Sequence, residues 1–411
     1  MKRTVTIILT LCVLLNFLVC SSATHLSVDE IAIYSQTPVI PSEITDVASV
    51  SADVNIETAA KAVVLMEKST GKVLYAENEN KKLYPASVTK IMTILLVCEA
   101  LESGRIKLAD EVVCTPTAAA KGGSQIWLEE GETMTVEQLL KATCIYSAND
   151  ACTLLGEYLA GNEDAFVAEM NKKAEQLGMT NTHFDNCSGL DDTTENHLTS
   201  AYDIALMSRE LVANHGFIRQ YTTVWMDSLR DGETQLVNTN KLVRTYSGIT
   251  GLKTGTTEKA GCCISATAER DSMELIAVVL GSENSNDRFR TAQNLLDWGF
   301  ANYKVVQPVF DLSLSCELVV QKGKQESVPF VMPEMSALLV DKKSEGNVTV
   351  KIELPENIQA PVEKGAVVGK AKVMIGDDVI CEYDIVTESA VEKIDFFNAF
   401  YKLLTSFNRK N

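Results

Sequence analysis

The chain has 411 residues, of which 46% are hydrophobic and 22% are charged, as expected for a globular protein with room for two domains. Its formal net charge of −18 argues against a nucleic-acid partner, because phosphate binding needs clustered lysine and arginine. The sequence also lacks helix-turn-helix, zinc-finger and RNA-binding patterns.

The N-terminus has the pattern of a secretory signal peptide over residues 1–23. Lys2 and Arg3 precede an apolar stretch, and the sequence SSA ends it with a small-x-small cleavage site. An uncleaved anchor is the alternative, and lipid attachment at Cys20 is disfavoured because a large residue precedes it. We therefore expect an exported protein in which residues 24–58, which lack sustained periodicity, form a linker or arm.

The cysteines do not suggest a disulfide framework. Two of the eleven fall within the predicted signal peptide, which leaves an odd number, and C-x-x-C spacing is absent. Several lie in apolar helix-like runs, where cysteine packs as a small hydrophobic residue. We expect mostly free thiols and no metal site, although a disulfide among some of them stays open.

The first chemically informative stretch is YPASVTKIMTILLVCEALES, residues 84–103, which predicts a helix beginning near Ser87. Lys90 follows one turn later on the same face. Apolar neighbours would bury its ammonium and lower its pKa, so that the free amine could take the proton of Ser87. A helix N-terminus also favours an anion developing at Ser87. The alternative is that Lys90 reaches the surface or pairs with a buried acid.

Spacing alone does not single out this S-x-x-K tetrad. Ser69-Thr70-Gly71-Lys72 has the same spacing, but it lies between two strand-like runs and predicts an exposed hairpin turn. Two further motifs follow Ser87 in order. Ser147-Ala148-Asn149 is an S-x-N tripeptide between apolar helical stretches, and Lys253-Thr254-Gly255 lies on a strand-like run.

The order of elements predicts an α/β or, more narrowly, α+β fold. Strand-like runs occur at both ends of residues 59–304, residues 110–185 are mostly helical in pattern, and a helix closes the segment. This arrangement predicts one antiparallel sheet with an all-helical insertion.

The C-terminal part has a different character. Short alternating strands separated by turn residues predict a small β-rich domain over 305–388. Residues 389–411 form an apolar, aromatic stripe opposite a polar one and end in basic residues, which predicts an amphipathic helix lying in a membrane interface. Packing of this helix on its own protein is the alternative.

The three motifs in this order occur together in penicillin-recognising serine acyltransferases. More specifically, YPASVTKIMT, LGMTNTHFDNCSGLDD, GLKTGTTEKAGCC and AVVLGSENSNDRFRTAQNLLDWGF resemble the low-molecular-mass penicillin-binding proteins that are D-alanyl-D-alanine carboxypeptidases. The resemblance covers roughly residues 59–390. It implies a penicillin-binding transpeptidase-like domain, no cofactor, a peptidoglycan stem peptide ending in D-Ala-D-Ala as substrate, β-lactams as inhibitors, and a location at the outer face of the cytoplasmic membrane or in the cell wall.

The resemblance also implies residue roles. Ser87 would be the nucleophile that forms an acyl-enzyme, Lys90 its general base, and Ser147 a proton carrier to the leaving amine. Substrate contacts would come from four side chains and one backbone group: Asn149 on the substrate amide, Lys253 as a positive charge, Thr254, Arg288 on the terminal carboxylate, and the Thr256 N–H, which with that of Ser87 would form the oxyanion hole. Arg290 is close enough in sequence to be the alternative to Arg288.

Three other functions compete with this one. A class A β-lactamase shares the motifs but needs a glutamate in an E-x-x-L-N loop, and Leu-Asn occurs only in the predicted signal peptide. A DD-endopeptidase would cut a cross-link rather than a C-terminal bond with the same motifs. A wall-binding scaffold with a disabled site is disfavoured by the intact motif residues.

Overall fold

The structure, a computed structural model, describes residues 56–309, 316–342, 348–398 and 400. The predicted signal peptide, nearly all of the predicted arm and most of the predicted C-terminal helix lie outside the described residues. The described residues belong to the unit Ala48–Asn411.

Residues 56–309 alternate between strands and helices. In chain order these are β1 (Ala62–Glu67), β2 (Val73–Glu77), α1 (Lys90–Glu102), β3 (Glu111–Val113), α2 (Pro116–Ala119), β4 (Thr133–Thr135), α3 (Val136–Lys141), α4 (Asn149–Ala160), α5 (Glu163–Gln176), α6 (Ala201–Asn214), α7 (Arg219–Thr222), β5 (Met226–Leu229), β6 (Thr234–Val237), α8 (Leu242–Thr245), β7 (Ile249–Thr257), β8 (Gly261–Arg270), β9 (Met273–Ser282) and α9 (Ser285–Asn302). Short 3₁₀ turns occupy Ala86–Thr89, Gly216–Ile218 and Arg230–Gly232, and a π-helix occupies Ala142–Tyr146.

A five-stranded sheet in the order β2-β1-β9-β8-β7 forms the frame of this part, and every neighbouring pair is antiparallel. Both faces are covered. Val63 and Leu65 of β1 join the core that contains α9, whereas Val64 and Met66 join the core that contains α1, α4 and α6. Because side chains alternate along a strand, coverage of both faces accounts for the apolar run LIAVVL at residues 275–280 of β9. The predicted antiparallel sheet and the hairpin at residues 69–72 are confirmed.

The segment between β2 and β7 is mostly helical, but the prediction that it is all helical needs a correction. Two short antiparallel pairs, β3 with β4 and β5 with β6, lie within it. Each strand is three or four residues long. Such short strands show little alternation in sequence, and their pairing depends on partners distant along the chain.

The C-terminal part forms the predicted β-rich domain. Its strands are β10 (Tyr303–Val306), β11 (Glu317–Gln321), β12 (Ser327–Val331), β13 (Leu338–Asp341), β14 (Val348–Glu353), β15 (Asn357–Gln359), β16 (Val367–Ile375) and β17 (Asp378–Thr387). Six of them form a sheet in the order β14-β16-β17-β12-β11-β15 around a separate apolar core, and β10 pairs with β13. The domain boundary predicted at residue 305 lies within β10, and the proposed boundaries stay a prediction.

Only the start of the predicted amphipathic helix is described. Residues 396–398 and 400 are helical, and Phe396, Phe397 and Phe400 are 77%, 81% and 54% exposed. No helix in the described part of the chain is long and apolar enough to cross a membrane. The membrane-interface helix therefore stays a prediction.

Helix α9 approaches the sheet at Gly299, which leaves no room for a side chain. A Cβ there would lie 2.6 Å from Leu275 Cδ1 and 2.9 Å from Leu65 Cδ2. We expect Gly299→Ala to lower the free energy of unfolding by about 1–3 kcal/mol, because overpacking outweighs the better helix propensity of alanine. Urea denaturation measures this. Gly216→Ala, with nothing within 4 Å of its added Cβ, is the matched control; equal midpoints for the two variants would contradict the packing argument.

Candidate active site

Ser87 lies in the 3₁₀ turn Ala86–Thr89, directly before α1. Ala86 and Val88 on either side are buried, so the turn is held by the core while Ser87 remains partly accessible. Ala86 has a φ of 48°, in the left-handed region that non-glycine residues seldom occupy. The residue before Ser87 is therefore held in a strained conformation.

Lys90 is fully buried, and its amine has three partners. Nζ lies 2.9 Å from Ser87 Oγ, 2.6 Å from Asn149 Oδ1 and 2.7 Å from the Ser188 carbonyl oxygen. Burial lowers the pKa of Lys90 to about 8. The sequence-based expectation that the lysine packs inside the apolar helix next to the serine agrees with this geometry; the alternative of a surface-reaching lysine does not.

Ser147 and Asn149 lie where two helices meet. The π-helix Ala142–Tyr146 ends at Ser147, whose φ of 68° turns the chain, and α4 begins at Asn149. Asn149 donates from Nδ2 to the Gly122 carbonyl (2.7 Å) and accepts from Lys90 through Oδ1. Ser147 is buried two residues away, but no hydrogen bond among the described residues joins it to Ser87 or Lys90. The structure thus joins Asn149, but not Ser147, directly to the serine–lysine pair.

Strand β7 forms the opposite wall. A Cβ added at Gly255 would lie 2.8 Å from the backbone nitrogen of Ser87, so glycine is required for this close approach. Lys253 is buried and donates to the Thr254 carbonyl (3.0 Å), and Thr254 donates its hydroxyl to Thr239 (2.6 Å). Burial and, secondarily, the charge of Lys90 lower the pKa of Lys253 well below its usual value.

Arg288, in the first turn of α9, extends along the same strand. Its guanidinium donates to the Gly255 carbonyl and to Thr256 Oγ1, both at 2.9 Å, and burial lowers its pKa. Its Nε is buried and has no hydrogen-bond partner among the described residues. Arg290 instead pairs with Asp287 (2.8 Å) and is largely exposed. Of the two arginines that sequence left open, Arg288 is the one that contacts the strand carrying Thr256.

The segment that closes the site beneath Lys90 lies within the stretch LGMTNTHFDNCSGLDD, but its role was missed in the sequence analysis. Asn186 accepts hydrogen bonds from the backbone N–H groups of Ser188 and Gly189 and so forms a tight turn that aims the Ser188 carbonyl at the amine. Gly189 has a φ of 89°, and a Cβ there would lie 1.9 Å from the Ala86 carbonyl oxygen. The sequence NCSG at 186–189 is a turn signal, but nothing local connects it to Lys90.

A buried histidine relay, also missed, supports the strained turn before Ser87. Asp185 N–H donates to His197 Nδ1 (3.0 Å), Nε2 lies 2.8 Å from Thr89 Oγ1, and Thr89 donates to the Ala86 carbonyl (2.8 Å). Since Nδ1 accepts and Thr89 donates onward, His197 carries its proton on Nε2. Burial lowers the pKa of His197 to about 4, so it stays neutral near pH 7 and its contribution to stability is lost only as the pH falls below about 6.5.

One group of side chains away from these residues has metal-binding donor types. Ligand atoms of Glu99, Glu210 and His215 lie within 4.8 Å of one another. Lys173 forms ion pairs with both glutamates, so a cation of the protein already occupies this acidic cluster. Free thiols are found, as expected for most of the cysteines, at Cys98, Cys114, Cys144, Cys152, Cys187, Cys262, Cys263 and Cys381.

Comparison with known proteins identifies the chain's relatives. Residues 46–284 match the D-alanyl-D-alanine carboxypeptidase family, and residues 316–393 match the C-terminal domain of penicillin-binding protein 5. The chain belongs to the D-alanyl-D-alanine carboxypeptidase family. It is 41% identical to the D-alanyl-D-alanine carboxypeptidase DacF of Bacillus subtilis, over 82% of this chain and 87% of the relative.

Solved structures agree with this assignment. Penicillin-binding protein 5 from Haemophilus influenzae is 29% identical with a TM-score of 0.70, covering 83% of this chain and 99% of that one. Penicillin-binding protein D2 from Listeria monocytogenes, in an ampicillin-bound form, is 31% identical with a TM-score of 0.56, covering 60% of this chain and all of that one. The predicted family, fold class and serine carboxypeptidase activity are confirmed.

The relay through Thr89 can be tested directly. We expect Thr89→Val to slow acylation by a fluorescent penicillin by about tenfold, because it removes one hydrogen bond and leaves His197 Nε2–H buried without an acceptor. Thr89→Ser keeps the hydroxyl and should restore the rate. Stopped-flow fluorescence below the melting temperatures of both variants separates this effect from unfolding. Normal acylation by Thr89→Val would rule out a positioning role for the relay.

Proposed function

We propose that this carboxypeptidase removes the terminal D-alanine from peptidoglycan stem peptides through an acyl-enzyme on Ser87, with Lys90 as the general base. The observation that carries the proposal is the set of partners of the Lys90 amine. Asn149 Oδ1 and the Ser188 carbonyl can only accept, whereas Ser87 Oγ can also donate. A neutral amine has two N–H groups for the first two partners and one lone pair, which therefore faces the serine hydroxyl.

Acylation follows from that arrangement. Ser87 Oγ attacks the carbonyl of the penultimate D-alanine as its proton passes to Lys90 Nζ. The proton then reaches the nitrogen of the leaving D-alanine, for which the buried hydroxyl of Ser147 is the proposed carrier. Water then attacks the acyl-enzyme carbonyl as one of its protons passes to Lys90, the bond to Ser87 Oγ breaks, and Lys90 returns that proton to Ser87 as the shortened peptide leaves.

The opposite wall supplies the proposed substrate contacts. Extended substrate would pair with β7, where backbone N–H groups of Thr256 and Ser87 would stabilise the oxyanion, a contribution of about 3–4 kcal/mol per donor. Asn149 and Thr254 would hold the peptide. Lys253 and Arg288 would attract the terminal carboxylate, whose negative charge would raise the lowered pKa of Lys253.

The same site would take β-lactams, which present a strained amide to Ser87. This agrees with the ampicillin-bound form of the Listeria relative. We place the enzyme outside the cytoplasmic membrane, at its outer face or in the cell wall. Support for membrane contact comes from the predicted helix 389–411 and from the exposed side chains of Phe396, Phe397 and Phe400.

The lowered pKa of Lys90 predicts the pH dependence of acylation. With a pKa of about 8, about a tenth of the amine is neutral at pH 7 and about nine-tenths at pH 9. We therefore expect the acylation rate constant to rise about tenfold between these pH values and then level off. Stopped-flow acylation by a fluorescent penicillin, checked against its spontaneous hydrolysis, measures the profile. A rate that stays constant from pH 7 to 9 would be incompatible with this assignment.

The nucleophile and the reaction are tested together by D-alanine release. We expect the wild-type chain to release D-alanine from a peptide ending in D-Ala-D-Ala, and Ser87→Ala to release none above background. Ser69→Ala, in the other S-x-x-K sequence, is the matched control and should keep full activity. Release by Ser87→Ala would refute the mechanism, and absence of release by the wild type would point to endopeptidase or non-catalytic function.

A further inference from the structure

Trp127 is exposed at the surface in a conformation that tryptophan rarely adopts. Its side chain is 75% exposed, and its φ of 59° lies in the left-handed region. The two neighbours are buried, Ile126 at 2% and Leu128 at 4% exposure. The strained backbone therefore turns the indole outward between two residues that anchor the loop in the core.

The fold holds this conformation from two sides. The guanidinium of Arg230 donates to the Ile126 carbonyl (2.8 Å) and pairs with Glu132 (2.7 Å) at the end of the loop. The carboxylate of Asp150 accepts from the N–H groups of Ile126 and Leu128, both at 3.1 Å. A strained backbone conformation that is held by this many contacts indicates that the position of the Trp127 side chain is important for function.

The loop that carries Trp127 also forms a wall of the active site. The backbone N–H of Asn149 donates to the Ser124 carbonyl and its side chain donates to the Gly122 carbonyl, both at 2.7 Å. Asp150, which fixes the Trp127 backbone, is the next residue after Asn149. Trp127 thus lies in the loop at the edge of the site, three residues from Ser124, whose carbonyl contacts Asn149 and through it the serine–lysine pair.

The surroundings of the ring indicate what it binds. The neighbouring exposed residues of the loop are polar, namely Ser124, Glu129 and Glu130, so the indole is flanked along the chain by polar side chains. A protein partner would need a broader apolar patch than this loop presents, and the glutamates disfavour an acidic ligand. A neutral sugar suits both features, because its C–H face stacks on an indole while its hydroxyls bind polar neighbours.

We propose that Trp127 is a stacking platform for an N-acetylated sugar of the glycan strand that carries the stem peptide. The inference rests on the proposed function, since it is the stem peptide in the cleft that brings its attached glycan to the edge of the site. Trp127 would then favour wall-attached substrate over free peptide, without contacting the reacting atoms.

The test compares one substrate with and without sugar. For Trp127→Asn we expect kcat/KM on a disaccharide-pentapeptide to fall about tenfold, through KM, as loss of one aromatic stacking contact predicts. On the sugar-free pentapeptide the change should stay below about twofold. Asparagine tolerates the left-handed conformation, so the melting temperature should not fall. Trp127→Tyr should keep most of the preference, and Ile380→Ala, an exposed apolar residue of β17, should change neither substrate.

Binding of the peptide-free disaccharide, followed by tryptophan fluorescence, gives a second readout that needs no catalysis. We expect saturable quenching in the wild type that Trp127→Asn abolishes. Equal losses on both substrates, no loss on either, or quenching that persists in Trp127→Asn would each overturn the inference. Failure of the wild type to release D-alanine from both substrates would refute the proposed function instead, and the binding experiment would still decide the role of Trp127.

Discussion

Burial of the Lys90 amine is the constraint on which the rest of the site depends. An ammonium without partners in the protein interior costs several kcal/mol, so every hydrogen-bonding position of Nζ has to be satisfied. The three partners come from the turn before α1, the start of α4 and the 186–189 turn. Satisfying one nitrogen atom therefore fixes three segments that are far apart in sequence, and it does so around the serine that the lysine is proposed to activate.

The second buried amine sets the electrostatics of the cleft. Lys253 lies close enough to Lys90 for the charge of one to lower the pKa of the other, and Arg288 adds a third cationic group. Burial lowers the pKa of Lys90, which favours its neutral form, and the positive charge of the three groups favours an anionic ligand. The two requirements of the proposed reaction thus have separate causes: burial favours the free amine as base, and the cationic groups favour a carboxylate-binding wall.

The sequence was sufficient to predict the parts of this arrangement that are local. Ser87 and Lys90 are one helical turn apart, Lys253 and Thr254 lie on one strand, and the long strands β7, β8 and β9 each have a distinct apolar pattern. What could not be predicted depends on long-range contacts. Ser188 and His197 lie about a hundred residues after the turn they support, and neither has a local pattern that distinguishes it from a loop residue.

The choice between Arg288 and Arg290 shows the same limit on a smaller scale. Both lie in the first two turns of α9, where sequence gives their spacing but not the direction of the helix relative to β7. The packing of α9 on β8 and β9 places Arg288 against the Gly255 carbonyl and leaves Arg290 beside Asp287 on the outer face. A helix rotated by two residues, about 200°, would have placed Arg290 against β7 instead.

Three non-glycine residues with positive φ, Ala86, Ser147 and Trp127, lie around the candidate site. Each such conformation costs about 1–3 kcal/mol, a large share of a typical net stability of about 5–15 kcal/mol. Each is therefore held by contacts of its own: the Thr89 hydroxyl on the Ala86 carbonyl, the Ala148 N–H on the Ala142 carbonyl, and the Asp150 carboxylate beside Trp127. Since Ser147 and Asp150 flank Asn149, two of these strained positions are tied to the residue that also binds Lys90. Packing in the helical core therefore holds three parts of the site in one fixed geometry. These are the loop that carries Trp127, the turn before Ser87, and Lys90.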